Sequence, residues 1–424
     1  MATDVPPTDD APDATGGRPR YVVVLVGGLI ALVAVVALFL VATGGDDDDG
    51  DDAVATDTTA APTTAPPETT APPTTAAPVT TTAAPEPEPN AAYAESGPYA
   101  AGVTTIDLDG RFVEVWYPAD PDGVAGLEPA VFQIRDVVPP ELAALVPDEL
   151  NPSYPTDAFA EAPPATDGPF PVVALSHGFG AWPTMYQFLG THLASWGMVV
   201  VAPDHAERDL LAAASGNVTE GDDAGVLLGS VDAAVAASEA GTGVLAGLLD
   251  AERLATVGHS AGVRAATESA GRDDRVDTVV MMAGGSTEVV AVPVLVLAGG
   301  RDEVIPLDAI LERTAGLTDR RIAVIDEAGH NAFNDICLIG QEQGGLLGIT
   351  EQLGLPVDER LLGLLADGCT EEFLPAQEAW PAIRHLVTAQ VRAAWGVDPE
   401  PVGLDDATVA SFGPAITWDP GPTG

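Results

Sequence analysis

From about Gly97 the chain alternates between short apolar runs rich in β-branched residues and longer stretches with a period near 3.6. "PVVALS" (171–176), "GMVVVAP" (197–203), "RLATVG" (253–258), "VDTVVMM" (276–282), "VPVLVLA" (292–298) and "RIAVID" (321–326) read as strands buried on both faces. "RFVEVWYP" (111–118) alternates like an early, half-exposed strand. Helical patterns fall around 183–196, 224–249, 260–270 and 307–315, and a last helix over 376–395. Strand and helix in regular alternation predict a doubly wound, mostly parallel α/β sheet with helices on both faces. Ligands of such sheets sit at the carboxyl ends of the strands.

The pattern before Gly97 is different. Tyr21 to Thr43 carry no charge and, at helical rise, suffice to cross a hydrocarbon core of about 30 Å. Arg18 and Arg20 precede this stretch and "GGDDDDGDD" follows it, so a signal anchor with its N-terminus inside is expected. A cleaved signal peptide with secretion is the alternative, although "LVATGG" is a poor cleavage site. Residues 53–90 hold almost only Ala, Thr and Pro, too little apolar surface to offset chain entropy, and predict a disordered stalk reaching up to about 100 Å. The expected order is a cytoplasmic tail (1–20), a transmembrane anchor (21–43), a stalk (44–92), an extracytoplasmic α/β domain (93–400) and a C-terminal tail (401–424).

Composition narrows the partners. Sixteen basic residues, all arginine, face 64 acidic ones for a net charge of −48. A phosphate backbone would be repelled, so nucleic acid is excluded as a partner. The glycines of "GTGVLAG" (241–247) follow no strand and therefore carry no dinucleotide site, and no Cys/His spacing suggests zinc. No cofactor and no metal is expected.

One stretch carries chemistry. Gly258-His259-Ser260-Ala261-Gly262 lies directly between a strand and a helix, the context of a nucleophile elbow. A serine hydroxyl needs a base, and the base an orienting acid, arriving downstream in that order. Asp302 follows "VPVLVLAGG" and His330 follows "RIAVIDEAG", each at a strand's carboxyl end. Glu303 and Asp326 are rivals for the acid, and Asp302 could instead only cap its turn. Of the other histidines, His192, His205, His259 and His385 read as structural and His177 as bracing a turn. "LSHGFGAW" (175–182) fits the second oxyanion loop, so the N–H groups of Phe179 and Ala261 are the candidate donors. Trp182 and Tyr186 are candidate pocket residues, against an alternative as core.

"VWYPAD", "PVVALSHGFGAWPTMYQFLGTHLASWGMVVVAPDH", "LDAERLATVGHSAG" and "VPVLVLAGGRDEVIP" together resemble the α/β-hydrolase branch that contains platelet-activating-factor acetylhydrolase, dienelactone-hydrolase-like esterases and cutinase-like polyester hydrolases. The resemblance covers roughly residues 97–335 and the last helix. It implies a serine esterase with Ser260, Asp302 and His330 as triad, Phe179 and Ala261 at the oxyanion positions, and ester hydrolysis without metal or organic cofactor. Two departures stand out. The acetylhydrolases carry their acid after the strand following the elbow, where this chain has "MMAGG"; and Val263 replaces a usual second elbow glycine.

The two cysteines, Cys337 and Cys369, would both face an oxidising compartment and are expected to pair. The bridge would stabilise by roughly 3 to 4 kcal/mol and steady the loop carrying His330. Between them an amphipathic insertion (338–375) predicts two short helices, either a lid over the site or packing against the last helix. The function expected is a membrane-anchored, extracytoplasmic serine hydrolase cleaving short to medium acyl esters, lipid or polyester among them. Acyl transfer to a cell-envelope acceptor and a non-catalytic surface adhesion or scaffold domain are the alternatives.

Overall fold

The computed structural model of this 424-residue chain describes residues 88–137, 143–354 and 359–422. The expected tail and anchor, and the stalk up to residue 87, lie outside these residues. Among the described residues no helix is long and apolar enough to cross a membrane.

Ten strands form one sheet. In chain order the strands are β1 (Ala100–Leu108), β2 (Arg111–Ala119), β3 (Val131–Gln133), β4 (Ser153–Pro155), β5 (Ala158–Ala160), β6 (Phe170–Ser176), β7 (Val199–Pro203), β8 (Leu249–His259), β9 (Val276–Met282), β10 (Val294–Gly299), β11 (Arg320–Ile325) and β12 (Ile416–Asp419). The large sheet runs β12-β11-β10-β9-β8-β6-β7-β2-β1-β5, and β3 pairs with β4 apart from it. From β11 to β7 every pairing is parallel, while β2 and β12 attach antiparallel at either side. The central strands alternate between two cores. Val173, Leu175, Val200 and Val257 face one side with Leu189 and Ile383, while Val172, Ala174, Val199 and Leu254 face the other with Leu227 and Ile310. This two-sided burial is why those segments read as unbroken apolar runs.

Helices cover both faces: α1 (Gln187–Ser195), α2 (Leu210–Ser215), α3 (Asp223–Glu239), α4 (Gly262–Arg272), α5 (Leu307–Thr314), α6 (Gly345–Gln352), α7 (Glu359–Ala366), α8 (Ala376–Ala394) and α9 (Asp406–Val409). Three segments differ from expectation. The helix read over 224–249 stops at Glu239, because Gly241, Gly243 and Gly247 all take positive φ, and β8 then begins at Leu249. The strand at 111–118 is not half-exposed, since from Val113 onward β2 is buried between β1 and β7. Residues 401–424, expected as a tail, contribute α9 and the edge strand β12, which pairs with β11.

Burial perturbs a carboxylate in an inner strand. Glu114 of β2 is 3% exposed, accepts from Thr105 Oγ1 at 3.2 Å, and is pushed up to about 8 by desolvation. Its folded value exceeds its unfolded one, so the fold holds this proton more tightly. The contribution to stability is complete below about pH 4.5 and is lost as pH rises toward 8. Glu114→Gln, which keeps an acceptor for Thr105, is therefore expected to stabilise by on the order of 3 kcal/mol at pH 8 and by almost nothing at pH 4.5. Calorimetry at the two pH values checks this; an equal gain at both would contradict it.

The first described residues are tied to the last helices. The amide of Asn90 donates to Thr408 Oγ1 and that of Tyr93 to His385 Nδ1, while Tyr93 Oη donates to Asp398 Oδ2 at 2.7 Å. The Tyr93 ring stands edge-on to Trp196 at 4.8 Å and receives the Arg392 guanidinium on its face.

Candidate active site

Four loops converge at the carboxyl ends of neighbouring parallel strands: 177–180 after β6, Ser260 after β8, Asp302 after β10 and His330 after β11. The chain turns from β8 into α4 within two residues, and Ser260 takes a φ of 54°, a region L-residues avoid. The Ser260 amide is held by the Met282 carbonyl at 2.9 Å. Both elbow glycines are needed. A Cβ on Gly262 would land on the carbonyl oxygen of Ser176, and one on Gly258 on that of Gly262. Val263, where the enzymes this chain resembles usually have a second glycine, is 2% exposed and fits because Gly284 faces it; a Cβ there would stand 2.9 Å from Val263 Cγ2.

Ser260 Oγ lies 2.9 Å from His330 Nε2, and His330 Nδ1 lies 2.8 Å from Asp302 Oδ2. Asp302 also caps its turn, through the other oxygen: Oδ1 accepts from the amides of Val304 at 2.9 Å and Ile305 at 2.7 Å. The two readings of this carboxylate are thus both realised. Its rivals sit elsewhere, Glu303 exposed and Asp326 accepting from Thr417. A hydroxyl, imidazole and carboxylate linked this way can pass the serine proton to the ring while the carboxylate steadies the cation formed.

Among the described residues the amides of Phe179 and Ala261 donate to no protein acceptor, and Ala261 stands at the N-terminus of α4, where partial positive charge gathers. The loop bearing Phe179 is clamped twice. Arg208, 7% exposed, donates through Nη1 to the carbonyls of His177 and Gly178, and its own carbonyl accepts from the Gly180 amide at 2.8 Å. Its Nε is paired with the buried Asp223 at 3.0 Å. From the other side Tyr186 Oη accepts from the Gly178 amide at 3.0 Å and lies 2.9 Å from His259 Nδ1.

His259 is fully enclosed, and desolvation, followed by the nearby His330, holds its ring well below the usual histidine range and therefore neutral. Its Nε2 lies 3.2 Å from the His330 carbonyl, which can only accept, so Nε2 carries the proton and Nδ1 accepts from Tyr186. His259 is thus structural, as expected from the sequence, and in that role it links the loop bearing Phe179, through Tyr186, to the backbone of His330. Tyr186→Phe leaves the Gly178 amide without its acceptor and His259 without its donor. A loss of about 1 to 3 kcal/mol in stability is expected. A fall in kcat of roughly tenfold should accompany it, since the Phe179 donor is adjacent. Melting curves and steady-state kinetics check both.

A second serine, histidine and aspartate lie close together and illustrate what a reactive serine requires. Ser176 Oγ is 2.8 Å from His205 Nε2, and His205 Nδ1 is 3.7 Å from Asp223 Oδ1. Ser176, however, is wholly buried in a strand and accepts from Arg208 Nη2 at 3.0 Å. No substrate reaches it, whereas Ser260 is partly exposed.

The cleft over Ser260 is lined by Phe179, Ala181, Met185, Ile336, Leu364 and Leu365, with Asn331 and Asn334 at its polar side, and its free volume is about 20 Å³. Trp182 and Tyr186 do not line it; Trp182 is 5% exposed and Tyr186 0%, both within the core that includes α1 and α8. Their spacing reflects packing rather than a pocket. Leu364 and Leu365 come from α7 in the insertion, which also holds α6, and Asn331 Nδ2 donates to the Leu364 carbonyl at 2.6 Å. Cys337 and Cys369 form the expected disulfide, across a sequence separation of 32.

The mostly parallel sheet, the strained elbow and the order Ser260, Asp302, His330 define the α/β-hydrolase fold. Residues 95–226 match the family of platelet-activating factor acetylhydrolase, isoform II, a segment that contains the 177–180 loop and Arg208 and ends before Ser260. Dog (Canis lupus familiaris) platelet-activating factor acetylhydrolase is 28% identical over 122 residues, 26% of this chain, and the match spans 28% of that protein's length. The solved structure of a ferulic acid esterase from Streptomyces cinnamoneus superposes with a TM-score of 0.53 at 23% identity, covering 78% of this chain and 99% of that one. The resemblance to α/β-hydrolase serine esterases read from the sequence stands.

Proposed function

We propose that the chain hydrolyses carboxylic esters of short to medium acyl groups through an acyl-enzyme on Ser260. The observation that carries this reading is the unbroken hydrogen-bonded series Ser260–His330–Asp302 at the mouth of an apolar cleft. Two matched proteins, an acetylhydrolase and a ferulic acid esterase, bear names of ester-cleaving enzymes. In the first half-reaction His330 Nε2 takes the Ser260 proton as Oγ bonds to the ester carbonyl carbon. The resulting oxyanion receives the amides of Phe179 and Ala261. Collapse breaks the acyl–oxygen bond, and the alcohol leaves with the proton from His330. Water then repeats the sequence on the acyl-serine and releases the acid. Asp302 orients the ring and steadies the imidazolium that forms.

The enclosed part of the cleft is narrow, about 20 Å³, and is bordered by Leu364, Leu365 and Phe179, so an acyl group bound there lies against these side chains. This favours slender acyl groups. The full chain assayed on a p-nitrophenyl ester series should be fastest on short acyl chains, with a mass increase of one acyl group on the Ser260 peptide after rapid quenching. Adding an alcohol acceptor separates hydrolysis from acyl transfer: free acid as the main product supports hydrolysis, and acylated alcohol in excess supports the transferase. Rates that rise steadily with chain length would contradict the slender-acyl reading.

We also propose that residues 21–43 anchor the protein with the hydrolase domain outside the cytoplasm, from the arginines before that stretch and the aspartates after it. Retention in the membrane pellet at alkaline pH, with the domain cleaved by protease added to intact cells, is the expected result.

A further inference from the structure

The loops that carry Asp302 and His330 leave different strands, and both hang on one carboxylate that belongs to neither. Asp367 follows α7 in the insertion and is 4% exposed. Its Oδ1 accepts from the His330 amide at 2.6 Å and its Oδ2 from the Glu303 amide at 2.7 Å. Its main-chain carbonyl accepts from the Asn331 amide at 3.1 Å. The approach is close on every side. A Cβ on Gly329 would strike Asp367 Oδ1, and Gly368, at a φ of 88°, leaves room for only 3.0 Å between a Cβ and the Asn331 nitrogen. Two residues beyond Asp367, Cys369 is bonded to Cys337 on the chain leaving the His330 turn.

We infer that Asp367 is a positioning residue for catalysis, setting the separation of the acid and base loops at which the Asp302–His330–Ser260 series closes. The inference rests on the triad reading above. Each carboxylate oxygen fixes one loop, and a charge-assisted bond to an amide is among the stronger and better-directed protein hydrogen bonds. The two loops are joined directly up to the residue before Asp302, where the Arg301 amide donates to the Ala328 carbonyl at 3.0 Å; beyond that tie Asp302 and His330 meet through side chains at 2.8 Å, and Asp367 pins the backbone next to Asp302 and at His330 itself. The insertion therefore does more than cover the cleft: it completes the frame of the reacting groups, and the disulfide secures the point from which it does so.

The test uses the full chain with its disulfide intact. Asp367→Asn keeps one acceptor oxygen and puts an amide NH2 against the other backbone N–H; Asp367→Ala removes both acceptors. Small displacements of reacting groups reduce rates by about 100-fold. kcat per active site, titrated with a fluorophosphonate, is expected to fall roughly 100-fold in the alanine variant and to an intermediate value in the asparagine variant. KM should stay within about twofold, and the downfield imidazole proton of the Asp302–His330 hydrogen bond should broaden or move. Where the alanine variant does not fold, the asparagine variant decides. If kcat per titrated site stays within about threefold of the parent and the imidazole resonance is unchanged while Ser260→Ala is inactive, the inference falls and the triad reading stands. If Ser260→Ala retains activity, the triad reading itself falls, and the inference with it.

Discussion

Replacing Ser260 with alanine is expected to reduce kcat by roughly 10⁵- to 10⁶-fold, leaving only the acceleration from binding and from the Phe179 and Ala261 amides. Among the described residues no other serine is both paired with a histidine and open to solvent. The Ser176 hydroxyl, the nearest imitation, is shut inside β6 and engaged by Arg208. The fold should be unaffected, since Ser260 contributes no buried side-chain packing and alanine at a φ of 54° is no more strained than serine. Melting temperature within a degree or two of the parent, KM near that of the parent for residual turnover, and no acyl adduct by mass spectrometry would complete the result. Ester hydrolysis at the parent rate in this variant would end the proposed mechanism.

Arg208→Ala should produce the largest loss of stability of any single charged residue near the site. The guanidinium is buried and answers a carboxylate, Asp223, that is itself 4% exposed. Removing one partner of a buried pair strands the other, an effect of about 3 to 5 kcal/mol. Arg264 also reaches Asp223, at 3.2 Å, but its side chain is 59% exposed and compensates only in part. The melting temperature is expected to fall by roughly 10 °C. Activity should suffer separately, because the carbonyls of His177 and Gly178 lose the donors that aim the Phe179 amide, and misplacing one oxyanion donor reduces kcat by roughly 100-fold. Lysine cannot repair this, since one ammonium cannot reproduce the planar fork that serves Asp223, Ser176 and the two carbonyls together. A variant with unchanged melting and unchanged kcat would show that the loop holds its shape without the clamp.

The parts of the fold visible in the sequence are those whose residues have no choice of surroundings. β6, β7, β9 and β10 are buried on both sides and so appear as unbroken apolar runs. β1, "AAGVTTIDL", escaped notice because it is buried only over its first half and alternates thereafter; β12 escaped because four residues among glycines and prolines give no period. The helix expected over 224–249 ends at Glu239, with Gly241 in the left-handed conformation just past the C-cap Ala240, and the apolar residues that follow hide this stop in the sequence pattern. At the site, Ser260, Asp302 and His330 were legible because their order and their places after strands are local signals. Asp367, Arg208, and the joining of Tyr186 to His259 were not, because each acts on groups 30 or more residues away, and no spacing along the chain records such a contact.

The ties at the beginning of the domain have a mechanical consequence. Tension arriving through residue 88 meets Asn90 on Thr408 and Tyr93 wedged between Trp196, His385 and the Arg392–Asp398 pair, far along the chain from the loops that bear Ser260, Asp302 and His330. Load on that end would pass first into α8, whose Trp380 Nε1 donates to the Ala332 carbonyl at 3.2 Å, so it would be felt at the turn that carries His330 before it reached Ser260 or Asp302.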